Sequence, residues 1–293
     1  MSSENAVFPR ATGLLVIEVI NSNPNGDPDR ESDPRLRPDD RGEISPVSFK
    51  RKLRDLIDDK EGPVWSAMVE QFNPPLEASR FEILETRGRD RDKVIAQIQD
   101  KTFESTYWDA RVFGNTFLEE NLDSPIRTGV VQFGLGTSVA PVHVTRMTTT
   151  NKAGVEKDKT RGMAPLAYRV VEHGVYTMPF FVNPSAARKS GCTKQDIELL
   201  LKVIPFAYSH TASYVRSAVE IRQAWYIEHK SALGSVSDFE LFHALTPEKL
   251  GNREMASSSW ADYEPATKLP EILASKTSSV RELMAELYAA AGA

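Results

Sequence analysis

The chain has a single cysteine, Cys192, among 293 residues, so no internal disulfide framework can form and no cysteine cluster can hold a metal. Histidine is also scarce. His143, His173, His210, His229 and His243 show no H-E-x-x-H spacing, which removes the commonest zinc-hydrolase pattern. No apolar run approaches the roughly 18 residues needed to span a membrane. The opening "MSSENAVFPR" lacks the basic-then-apolar layout of a secretory signal, so a cytoplasmic protein is expected. The glycine-rich "GVVQFGLG" lacks a Walker lysine, and "GTSVA" is not a G-x-S-x-G nucleophile elbow. With a net charge of −5 there is no overall basic coat for nucleic acid, so any such contact must come from a local cluster. No internal repeat of solenoid period is present.

What is present reads as alternating strands and helices. "GLLVIEVI", Gly13 to Ile20, is short, β-branched and nearly continuous, as suits a central strand buried on both faces. Ser45 followed by Pro46 predicts a helix start, with Phe49, Leu53, Leu56 and Ile57 on its docking face and a basic stripe of Lys50, Arg51 and Arg54 turned outward. Residues 62–101 are irregular and charge-dense, as in an inserted subdomain. "SPIRTGVVQFGLGTSVAPVHVTRM" predicts kinked strands, and "TTTNKAGVEKDKTRG" a projecting hairpin arm. "LAYRVVEHGVYTMPFFV" predicts strand with a turn near Gly174. Thr193 and Asp196 form a capping-box pattern, and Pro205 should end that helix. "VEIRQAWYIE" supplies a last strand, "SDFELFHAL" a short helix and "SVRELMAELYAAA" a terminal helix. Without the insertions the order is βαββαβ, the ferredoxin-like or RNA-recognition-motif arrangement.

"INSNPNGDPDRESDPRLRP", Ile20 to Pro38, follows the first strand. An EF-hand register from Asn21 puts Ser32 where a bidentate Glu is required, and a strand rather than a helix precedes it, so an ordered turn is the better reading. Asp27, Asp29 and Asp33 leave open a hydrated divalent cation. The basic stripe is either a solvated helix face or a phosphate contact beside a capped helix start.

"NSNPNGDPD", "ISPVSFKRKLRD", "WDARVFG", "RTGVVQF" and "VTRMTTT", in this order, resemble the repeated backbone subunit of a type I CRISPR surveillance complex (Cascade), in the RAMP superfamily, closest to subtype I-C or I-B. The resemblance spans about Leu14 to Leu245. It implies an α+β fold: one domain over 1–293 with a modified RNA-recognition-motif (ferredoxin-like) palm, an inserted subdomain at 62–106, a thumb β-hairpin at 143–168 and a C-terminal extension at 247–293. It further implies a non-catalytic subunit without cofactor or metal. Such a subunit forms a helical filament with copies of itself along a crRNA, is capped by other CRISPR effector subunits, and presents the guide to target DNA, away from any membrane. The RNA-binding residues so implied are Asn23, Asn25, Ser45, Lys50, Arg51, Arg54, Arg127, Gln132, Arg146 and Met147. "YSHTASYVRSA" departs from the basic run that relatives carry after the second helix.

Two rival readings remain. A metal-dependent endoribonuclease of the same superfamily would use a loop aspartate, Asp27 or Asp33. A protein-only assembly module would hold no RNA.

Overall fold

A computed structural model of the chain describes residues 8–86, 88–115, 128–152 and 163–291. In chain order, strand β1 (Ala11–Ser22) leads through the Asn/Pro loop to β2 (Glu43–Ile44) and helix α1 (Pro46–Asp58). Helices α2 (Pro63–Glu70), α3 (Arg91–Gln99), α4 (Phe103–Thr106) and α5 (Trp108–Phe113) follow. Next come β3 (Val131–Phe133), β4 (Gly136–Ser138), β5 (Val144–Lys152) and the long β6 (Met163–Val182). After α6 (Ala187–Ser190), α7 (Lys194–Val203) and β7 (Val219–His229) come α8 (Asp238–Leu245), β8 (Glu248–Lys249) and β9 (Tyr263–Glu264). The chain closes with α9 (Glu271–Ala274), β10 (Thr277–Glu282) and α10 (Leu283–Ala291).

The main sheet is antiparallel and runs β10-β7-β1-β6-β4-β2, with β3 and β5 also paired to β6. β1 lies at its centre, and its two faces have different covers. Leu15, Ile17 and Val19 join the large core beneath the helices, in one cluster with Phe49 and Leu53 of α1 and Leu200 of α7. Leu14 packs with Trp225, Leu241 and Leu269, and Val16 with Tyr263, both under the segment that follows β7. Burial on both sides is why the run is almost wholly apolar, since each such side chain removed from water contributes about 1.5–3 kcal/mol. The fold is therefore α+β around a mainly antiparallel sheet, and no helix among the described residues is long and apolar enough to cross a membrane.

Helix α1 begins as its sequence dictates. Ser45 Oγ accepts from the Ser48 N–H at 3.2 Å, Pro46 fills the first turn, and Phe49, Leu53, Leu56 and Ile57 are buried. The Thr193/Asp196 capping box opens α7, which gives way to a 3₁₀ turn at Pro205. Two expectations need correction. No turn occurs at Gly174, which sits inside β6 opposite Val19. There a side chain would collide with Val142, 2.8 Å from an added Cβ, so this glycine serves a close approach rather than a reversal. The terminal helix is also shorter than its periodicity suggests, because residues 277–282 pair with β7 as an edge strand before α10 begins.

β6 is longer than its neighbours. Its C-terminal part, from Val171, pairs with β1, whereas Met163–Val170 pairs with β5 alone, so the two strands continue past the sheet as a two-stranded ribbon. The tip of the predicted arm, residues 153–162, lies outside the described residues.

Candidate nucleic-acid interface

The Asn/Pro loop is held by backbone bonds. Asp27 N donates to Asp33 O at 2.7 Å, Ser32 N to Asp27 O at 2.9 Å, and Arg35 N to Asn25 O at 3.0 Å. Glu31 and Ser32 accept positive φ at +50° and +65° to close the corner. Asp27 turns inward on its own loop, accepting from Asp29 N at 3.1 Å, and Asp33 pairs with Arg169 of β6. Among the described residues no group of three or more His, Cys, Asp or Glu could hold a metal ion.

Asn23 and Asn25 are buried, 6% and 4% exposed, which differs from a loop that lays both on the surface. Asn25 Oδ1 accepts from Ser45 N at 3.1 Å and Ser45 Oγ at 2.9 Å, so Asn25 and Ser45 together tie the loop to the start of α1. Asn23 Nδ2 donates to Ser32 O at 2.7 Å, and the Asn23 carbonyl accepts from Arg216 Nε at 2.9 Å.

Arg216 brings in a third segment. The loop, the ribbon root and residues 215–216 enclose an open groove of about 450 Å³, whose walls include Asn23, Asp33, Arg146, Tyr168, Arg169 and Arg216. Arg146 and Arg169 are cross-strand partners on the ribbon, and Met147 and Tyr168 are the next pair along it. Tyr168 reaches Tyr214, with ring centroids 5.4 Å apart at 67° and hydroxyls 3.4 Å apart. The Tyr214 hydroxyl beside it raises the Tyr168 phenol above its ordinary pKa. Tyr214 is 63% exposed and Met147 38%, a high figure for such rings and thioethers on a protein surface.

The stripe on α1 does not survive as a set of three outward cations. Arg54 is 9% exposed and its Nε donates to Asp109 Oδ2 at 2.8 Å, so it belongs to the packing between α1 and α5. The wheel places Arg54 on a flank, but α5 lies against that flank. Arg51 is exposed, donates to the Glu85 carbonyl and stands 3.8 Å from Asp55. Lys50 is half-buried with its ammonium 5.2 Å from the Phe113 ring centroid, and burial, then Arg54, lowers its pKa. Lys52 is buried as well, donating to Thr211 O and Oγ1 at 3.2 and 2.8 Å, and burial followed by the charge of Arg216 lowers its pKa to about 8.

The sequence-derived set is thus divided. Asn23 and Arg146 line the groove, with Met147 on the strand beside it, whereas Lys50 and Arg51 occupy the α1 flank. Gln132 is exposed on β3 opposite Phe181, twelve residues along β6 from Arg169 and hence roughly 40 Å away. It does not join the groove. Arg127 lies outside the described residues. Tyr168, Arg169, Tyr214 and Arg216 lie outside the set that the resemblance implies. A hairpin centred on the arm would set Met147 opposite Met163, so the pairing of Tyr168 and Arg169 with Met147 and Arg146 is seen only in the folded register.

Among curated proteins, none matches the chain by sequence. Solved structures give distant similarities. A chain of a "CRISPR RNA-guided surveillance complex, pre-nicking" is 12% identical, with 74% of this chain and 77% of that chain covered and a TM-score of 0.47. A chain of a "CRISPR RNA-guided surveillance complex" is 16% identical over 73% of this chain and 68% of that one, with a TM-score of 0.40. A chain of the "Type III-B Cmr-beta bound to cognate target RNA" is 12% identical over 75% and 61%, also at 0.40. The sequence itself matches the family described as CRISPR-associated protein Cas7 over residues 9–268, nearly its whole length, and the chain belongs to that family.

Proposed function

We propose that this chain is a non-catalytic backbone subunit of a CRISPR effector, which binds the phosphates of a crRNA and presents the guide for pairing with target DNA. Copies assemble along the RNA as a helical filament that other effector subunits cap, in the cytoplasm and without a cofactor. In this reading the sheet with α1 and α7 is a palm of RNA-recognition-motif type, the β5/β6 ribbon is a thumb, and 62–106 and 247–293 are additions to a single domain.

The observation that carries the proposal is the convergence of Arg146, Arg169 and Arg216 on one groove beside the Tyr168–Tyr214 pair, in a protein of net charge −5. Arginine forks suit phosphate oxygens, and aromatic faces suit any base. Neither reads sequence, and a guide must be held whatever its sequence so that base pairing alone selects the target. A filament multiplies the few cations of each copy, so an acidic subunit can still hold a polyanion.

The test is to titrate the full chain into several unrelated labelled single-stranded RNAs and follow polarisation at a series of salt concentrations, with and without Mg²⁺. Similar affinities that fall with salt, and intact RNA, are expected. Absence of binding would leave the protein-only assembly reading. Metal-dependent cutting that Asp27→Ala abolishes would instead make the chain an endoribonuclease.

A further inference from the structure

We propose that Asn23 reads the 2′-hydroxyl of a bound ribose, so that the groove selects RNA over DNA; the inference rests on the guide-binding reading above. Asn23 is 6% exposed, lines the groove, and its Oδ1 is a buried acceptor without a hydrogen-bond partner. The orientation of its amide is fixed, because Nδ2 donates to the Ser32 carbonyl at 2.7 Å, and a flipped amide would set two acceptors against each other. The other asparagine of N-P-N differs: Asn25 Oδ1 is fully used by Ser45. One of the pair joins the loop to α1, and the other keeps an unused acceptor at a basic groove.

An unmade buried acceptor is costly, and its presence at a binding surface calls for a donor that arrives with the ligand. The neighbouring arginines do not supply it: Arg216 Nε donates to Asn23's own backbone carbonyl, and Arg169 pairs with Asp33. A phosphate diester has no proton to give. Base N–H groups change position with sequence, which a groove for arbitrary guides cannot rely on. The ribose 2′-hydroxyl is the donor repeated at every RNA nucleotide and missing from DNA. Entry of the ligand also supplies the opening step, since a phosphate competes with Asp33 for Arg169 and frees the Asp33 side of the loop, while the Ser32 carbonyl keeps the Asn23 amide in place.

The experiment compares full-length protein binding to three single-stranded probes of one sequence: RNA, 2′-fluoro RNA, which keeps the sugar pucker but cannot donate, and DNA. For the unsubstituted protein, RNA should bind roughly tenfold tighter than 2′-fluoro RNA, the effect of one hydrogen bond to a buried group. Asn23→Leu should bind RNA and 2′-fluoro RNA equally, because structural damage lowers both whereas loss of the acceptor lowers only RNA. Equal binding of RNA and 2′-fluoro RNA by the unsubstituted protein overturns the inference and leaves guide binding intact, whatever the folding of the variant. A tenfold gap that persists in Asn23→Leu assigns the discrimination to another residue and also overturns it. Failure to bind any probe removes the guide-binding reading beneath it.

Discussion

Arg54 and Asp109 form an ion pair, Nε to Oδ2 at 2.8 Å, with 11% and 1% of their side chains exposed, at the point where α1 meets α5. Asp109 also accepts from Leu84 N at 2.7 Å and Glu85 N at 3.2 Å, so one carboxylate joins three chain segments. Removing the arginine would leave that carboxylate buried beside two amides but without its counter-ion, at a cost of about 3–5 kcal/mol. Arg54→Ala should therefore lower the urea midpoint steeply. Lys50→Ala, on the same helix but half-exposed, should leave stability nearly unchanged and weaken RNA binding alike for unrelated sequences. A stable Arg54→Ala protein with selectively weakened RNA binding would return Arg54 to the interface.

Arg146 and Arg169 face one another across the ribbon, yet their substitutions should differ. If the proposed guide path is right, Arg146→Ala should remove one phosphate contact and lower the log–log salt slope of single-strand binding by roughly 0.7. Arg169→Ala should remove a contact on the same reading, and it also leaves Asp33, its partner, as an unpaired carboxylate on the groove wall. Its affinity should fall further than that of Arg146→Ala at low salt, and Arg169→Ala with Asp33→Asn should recover the difference. Equal losses in the two single variants would place the RNA path away from Asp33.

Tyr214 is a large ring left mostly in water, packed edge-on against Tyr168. If the pair is a stacking platform, Tyr214→Ala should cost about 1–3 kcal/mol of RNA binding, and Tyr214→Phe almost nothing. A loss in Tyr214→Phe as large as in Tyr214→Ala would mean that the hydroxyl contact to Tyr168 matters, not the ring. Stability of the chain should be indifferent to either change.

These sites show what the sequence could and could not carry. The strand at Gly13–Ile20, the Ser45 cap and the Thr193/Asp196 box were legible because each depends on neighbours in the chain. Arg54 was not: a helix wheel separates an apolar face from a charged one, but only the position of α5 shows that the flank is also buried. Gly174 departs from the expected turn because a glycine that accommodates Val142 looks, in sequence, like one that turns. The groove arginines come from three separate segments, and Arg216 sits in a run that departs from the family pattern, so only the folded loop reveals its place beside Asn23. Residues 279–282 run straight into the apolar terminal helix and read as part of it, yet the open edge of β7 captures 277–282 as a strand.

Lys52 links stability to pH and the groove to the core. Its ammonium donates to Thr211 and lies 5.0 Å from the Tyr208 ring centroid, at the base of the segment that carries Tyr214 and Arg216. Burial, then the charge of Arg216, lowers its pKa from 10.5 to about 8. Between those values the unfolded chain binds a proton that the native protein does not, so this group makes stability rise with pH from about 8 to about 10.5, by no more than about 3 kcal/mol. Lys50 and Lys60 shift in the same direction, while buried tyrosines such as Tyr176 and Tyr208 are raised and oppose the trend above pH 10. Lys52→Met removes one titration and leaves the others, so the difference between the two proteins isolates it. Urea unfolding at several pH values from 7 to 10 should show the unsubstituted protein gaining stability relative to Lys52→Met as pH climbs past about 8. A constant difference over that range would mean that Lys52 keeps an ordinary ammonium, and that burial costs it little.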